Sequence, residues 1–112
     1  MPKFSLHLAP VPLFIFCVIL ITASPVRAQV DAAKIFKTNC TLCHGADGSG
    51  NTSTGKAMKA KDLRSDEVQK QSDAALTDVI TKGRGKMPVF GSKLSPDTIK
   101  SLVAYIRQLP KK

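Results

Sequence analysis

Apolar residues along this chain recur at helical spacing, and no stretch shows the strict alternation of a half-buried strand. The clearest case lies near the C-terminus. Ile99, Leu102, Val103, Ile106 and Leu109 fall at i, i+3, i+4, i+7 and i+10. Ser95 is placed to cap, Pro96 to take the first helical position, Asp97 to favour the positive helix end, and Pro110 to stop the helix. A second helix is expected over 73–82, capped by Ser72, with Leu76, Val79 and Ile80 inward and Gly83 ending it in the left-handed conformation. A first helix is expected over 31–40 with Asp31 as N-cap. There Ala32, Phe36 and Cys40 share one face and Ile35 widens it. Ser65-Asp66-Glu67-Val68 reads as a short capped helix, and Lys56 to Lys61 as a turn of helix. Gly45 to Gly55 is a loop by composition, and Gly85 to Gly91 an apolar loop between glycines. The expected class is all-α.

The N-terminus has a different character. A basic start at Lys3 leads into the run Leu13 to Ile21, and Ser24 to Ala28 closes it with small residues at the −3 and −1 positions. That is the pattern of a secretory leader, cleaved after Ala28, so residues 1–28 are expected to be a signal peptide and 29–112 the working domain. The apolar run is short for a membrane span, which needs about 20 residues. Cys17 sits behind bulky Phe16, without the small residues of a lipoprotein site, and is expected to leave with the leader.

The whole chain has 112 residues and a formal charge of +9; losing Lys3 and Arg27 with the leader brings it to +7. Phe36, Phe90 and Tyr105 are then the remaining aromatics. So short a domain buries little apolar surface on its own. The basic balance admits nucleic-acid binding, but the export signal and the scarcity of aromatics argue against it.

The chemistry concentrates at Cys40-Thr41-Leu42-Cys43-His44. Two thiols three residues apart followed at once by an imidazole is the spacing that attaches a c-type haem. On a helical turn i and i+3 share a face, so both sulfurs reach the two vinyl groups of one porphyrin, and His44 follows as iron ligand. A thiol–disulfide pair usually sits in a strand–helix context, which is missing here. A structural zinc site wants four ligands, and after leader removal only these three Cys and His residues are left. A disulfide across so small a loop adds little stability. A covalent haem would also supply the core that a chain of this length lacks.

The iron needs a second ligand or an open position. His7 leaves with the leader, so the candidates are Met58 and Met87, thioether being a soft donor suited to haem iron. Met58 lies among lysines 14 residues after His44. Met87 lies 43 residues on, far enough to wrap the ring edge, with Pro88 stiffening the backbone beside it, and is the favoured ligand. Ordinary apolar packing is the alternative for either methionine.

These residues resemble the class I monohaem cytochromes c across essentially the whole mature part. Cys40 to His44 matches the haem motif, Lys86-Met87-Pro88 resembles the methionine loop, and Leu102 to Arg107 resembles the C-terminal helix signature. The resemblance implies short helices wrapped round one haem, with N- and C-terminal helices crossing where Phe36 meets Tyr105. Ala32 stands where a glycine is common. Many relatives place a proline after the motif to accept the histidine N–H; none occurs between Gly45 and Met87 here, which leaves that acceptor unassigned.

The implied function is a periplasmic one-electron carrier rather than an enzyme, cycling Fe(III)/Fe(II) and monomeric, with no stable membrane span in the mature form. Lys56, Lys59, Lys61, Lys82, Arg84, Lys86 and Lys93 flank the segments expected to wrap the haem. They are placed to steer the protein toward acidic faces of a dehydrogenase, oxidase or membrane complex. Two other readings are a haem subunit docked to a larger dehydrogenase or oxidase, and an open-site peroxidase or sensor.

Overall fold

The computed structural model describes residues 1–3 and 25–111. Among these residues the chain forms α1 (Pro25–Asn39), α2 (Thr41–His44), α3 (Ser53–Met58), α4 (Asp66–Gln69), α5 (Asp73–Lys82) and α6 (Pro96–Arg107). An isolated bridge between Arg84 and Met87 is the nearest thing to sheet among them. The expected all-α class holds. The expected leader falls for the most part outside the described residues.

Helix α6 is the centre of the core. Ser95 Oγ accepts from Thr98 N at 3.1 Å, and Pro96, with no N–H to leave unpaired, starts the first turn. Its apolar stripe buries Ile99, Leu102, Val103 and Ile106, with Leu109 just beyond the helix end. Helices α1 and α5 both pack on it. At the α1 contact the Phe36 and Tyr105 rings lie 5.1 Å apart at 47°, an aromatic pair worth about 0.5–1.5 kcal/mol beyond its area. Ala32 is fully buried on the same face of α1. Arg107 fastens the far end of α6. Its guanidinium donates to Gln69 O (2.8 Å), Gln71 O (2.5 Å) and Asp73 Oδ1 (2.9 Å), the segment that links α4 to α5.

Three local expectations are corrected. Helix α1 starts at Pro25 rather than Asp31, because proline suits a first turn and residues 26–30 hold no glycine or proline to interrupt it. Asp31 is therefore an exposed residue inside the helix, not its cap. Helix α3 begins at Ser53, within the segment expected to be loop, because Thr52 Oγ1 accepts from Gly55 N at 2.8 Å. Gly83 does end α5 with positive φ (72°), but its ψ of 168° is extended rather than left-handed helical. The chain thus turns sharply so that Gly83 lies against Met87 O at a distance no side chain allows.

Candidate functional site

The two thiols and the imidazole stand on one turn. Cys40 N donates to Phe36 O (2.9 Å), so the first cysteine continues directly from α1, and His44 N donates to Cys40 O (2.9 Å) to close α2. Helix α3 holds this turn from behind. The Thr52 hydroxyl donates toward Leu42 O (2.8 Å) and Cys43 O (3.2 Å) while accepting from Gly55 N, so one side chain caps α3 and ties it to α2. Gly55 packs its bare α-carbon against Cys43 O and Gly50 O. Backbone meets backbone there, and the chain reaches Lys61 in a fixed register.

That register sets the histidine. His44 Nδ1 lies 3.0 Å from Lys61 O. A carbonyl only accepts, so Nδ1 carries the proton, and Nε2 across the ring keeps its lone pair for a metal. Burial pushes the His44 pKa below its ordinary value, with the Lys61 bond working the other way, so the ring is neutral at pH 7. Lys61 O is thus the acceptor that the sequence left unassigned.

Cys40, Cys43, His44 and Met87 all line one cavity of about 490 Å³. Its other walls are mostly apolar: Phe36, Leu63, Val68, Leu76, Ile80, Phe90, Leu102 and Ile106. The cavity opens to solvent, and its walls offer an apolar surface that a bulky apolar group would cover. The donor set fits a c-type haem: two thiols on one turn, an imidazole nitrogen and a thioether.

The methionines are placed differently. Met58 ends α3, three residues before Lys61; it lines the same cavity and is 45% exposed. Met87 is half-buried against the core, on a loop anchored to α5 by Phe90 N→Ile80 O (3.1 Å) and Gly91 N→Thr81 O (3.0 Å). Of the two, Met87 is the one packed against the core, and it comes from a loop outside α2 and α3.

Burial, with Cys43 contributing second, pushes the Cys40 thiol up to about 11. A neutral thiol is a poor nucleophile for thiol–disulfide exchange. Of the seven flanking cations, Lys59, Lys61, Arg84 and Lys86 line the cavity. Lys61 pairs with Glu67 (2.7 Å) and Lys82 with Asp78 (2.5 Å), which tempers their share of the positive field. Sequence reasoning passed over Thr52, Gly55 and the Lys61 carbonyl. Thr52 carried the one usable signal, as an N-capping residue type.

Residues 27–106 match the protein family described as "Cytochrome C oxidase, cbb3-type, subunit III". The chain is 40% identical over 91 residues to the cbb3-type cytochrome c oxidase subunit FixP of Bradyrhizobium diazoefficiens, covering 76% of this chain but only 30% of that protein. It is 35% identical over 105 residues to cytochrome c6 of a Nostoc species, covering 92% of this chain and 88% of that one. A solved structure, the KustC0563 c-type cytochrome, superposes with a TM-score of 0.67 at 34% identity over 73% of this chain and 99% of the other. No helix among the described residues is long and apolar enough to cross a membrane. A relative matched almost end to end, on a fold that supplies the cavity and its donors, shows that this protein belongs to the cytochrome c family. It is a small monohaem cytochrome whose cofactor is a covalently bound c-type haem with iron.

Proposed function

We propose that the chain is an exported one-electron carrier, processed after Ala28, that works in the periplasm without transforming a substrate. Cys40 and Cys43 carry the haem through thioether bonds, and His44 and Met87 ligate its iron. Bound there, the haem supplies one-electron Fe(III)/Fe(II) chemistry. The observation that carries this reading is the placement of His44 and Met87 on different walls of one apolar cavity, with the His44 Nδ1 proton taken up by Lys61 O.

The remaining roles belong to the chain itself. The Lys61 carbonyl fixes the imidazole tautomer and makes Nε2 a better donor. Apolar walls would lower the polarity around a bound haem, which disfavours the extra charge of the ferric state and raises the potential. With His44 and Met87 both holding the iron, no coordination site would be left for a substrate. Leu42 (71% exposed) and Met58 line the cavity and offer apolar contact to a partner, with exposed Lys59 and Lys86 lining it too. That surface suits brief encounter with an acidic redox partner.

A potentiometric titration tests the reading: a single reversible wave with the slope of one electron supports it. Electron transfer to the physiological partner should slow steeply as salt rises. Ready binding of carbon monoxide by the native protein would instead favour an open-site peroxidase or sensor. The similarity to FixP favours a second reading, a subunit held in an oxidase complex. Size exclusion of protein from its own cells separates the two: a carrier elutes at its own mass, a subunit with the complex.

A further inference from the structure

The loop that carries Met87 leaves α5 at Gly83, whose N donates to Val79 O at 2.8 Å. Its C-terminal end is laced to α5 through Phe90 and Gly91, and Met87 N bonds back to Arg84 O at 2.9 Å within the loop. On the side facing the cavity mouth, the described residues show one hydrogen bond from this loop to α3. Lys86 Nζ donates to Ala57 O at 3.2 Å. Ala57 lies in the last turn of α3, where helix carbonyls lack an intrahelical donor and the dipole favours a cation. The bond joins two segments 29 residues apart in sequence. On one side stands the element that positions His44 through Lys61; on the other stands the residue next to Met87.

We propose that Lys86 is a positioning residue: its bond to Ala57 O straps the Met87 loop to α3 across the cavity mouth and so sets how firmly Met87 stays in place. This rests on the assignment of Met87 as iron ligand. Lys86 touches neither iron nor porphyrin in this role. It acts by restricting the loop movement that would carry the thioether away, which distinguishes it from the other cations near the mouth. Lys93, exposed on the far side of Phe90, carries the same charge with no such tie among the described residues.

The test uses ferric holoprotein from exporting cells, with added cyanide as the probe. Cyanide binding requires the thioether to leave, and the weak far-red band of thioether-ligated ferric haem reports whether it is bound. Lys86→Leu should bind cyanide about five-fold faster than wild type, the loss expected for one exposed charge-assisted hydrogen bond. Lys86→Arg, which can still reach a carbonyl, should stay within about two-fold, as should the charge control Lys93→Leu. A second readout needs no ligand: the Met87 amide should exchange about five-fold faster in Lys86→Leu. If wild type shows the far-red band but Lys86→Leu binds cyanide and exchanges like wild type, the strap is refuted and the ligand assignment survives. Equal acceleration by Lys93→Leu also refutes it, since charge alone would then be responsible. A wild-type protein without the band overturns the assignment of Met87 and the strap together.

Discussion

Replacing Gly55 with alanine places a methyl group where α3 rests on the haem-motif turn. The new carbon would lie inside contact distance of Cys43 O, 2.5 Å from Gly50 O and 2.9 Å from Thr52 Oγ1. Two of these three atoms are backbone, so no side chain can swing aside. Taking the Gly50 contact out to the 3.4 Å of ordinary packing asks α3 to retreat by about 0.9 Å. That retreat stretches the bonds from the Thr52 hydroxyl to Leu42 O (2.8 Å) and Cys43 O (3.2 Å). Two hydrogen bonds at about 1 kcal/mol each, with overpacking strain of about 1–3 kcal/mol, give a loss of about 3–5 kcal/mol. For a small domain that is a large share of the total. The assay is guanidinium unfolding of the exported holoprotein followed by far-ultraviolet circular dichroism. The midpoint should fall by that equivalent, and the yield of haem-loaded protein should drop because Lys61 O moves away from His44. A change below about 1 kcal/mol would refute the claim that this backbone contact sets the register of the site.

Further outcomes follow from other contacts. Met87→Ala should abolish the far-red band and lower the reduction potential on the order of 100 mV or more, whereas Met58→Leu should leave both nearly unchanged; spectra and potentiometry decide this. Arg107→Ala removes the donors held by Gln69 O, Gln71 O and Asp73, and should cost about 2–3 kcal/mol in equilibrium unfolding. Bonds from the Ser49 backbone and then its side chain hold the Asp47 carboxyl below the usual carboxylate range. A depressed folded pKa means that this stabilisation is fully present above about pH 4 and is lost as pH falls through the folded value. Acid titration of stability should therefore be shallower in Asp47→Asn than in wild type.

What the sequence made legible was whatever side chains advertise. The stripe from Ile99 to Leu109, with Ser95 and Pro96 ahead of it, marked α6 because capping and burial there act through residue type. Ser72 and Ser65 marked α5 and α4 in the same way. The meeting of Phe36 with Tyr105 was implied by the resemblance to the cytochromes c, whose terminal helices cross there, and the two rings do pack together. What stayed hidden depends on the main chain. The acceptor for His44 is the carbonyl of Lys61, which any residue would supply, so no residue type could announce it. Gly55 looked like loop flexibility, yet it serves a close backbone approach from inside a helix, and only the partner carbonyls reveal that. Helix α1 ran past Asp31 because a capping residue type is permissive, not obligatory, and nothing before it broke the helix.

The account stands or falls on whether the chain carries its haem at the α2 turn. Intact-mass analysis of protein matured in its own exporting cells, followed by peptide mapping, measures this directly. The expected result is a mass raised by one haem, confined to the peptide that holds Cys40 and Cys43 and absent when both are changed to alanine. Material exported in full yield as bare polypeptide would contradict it.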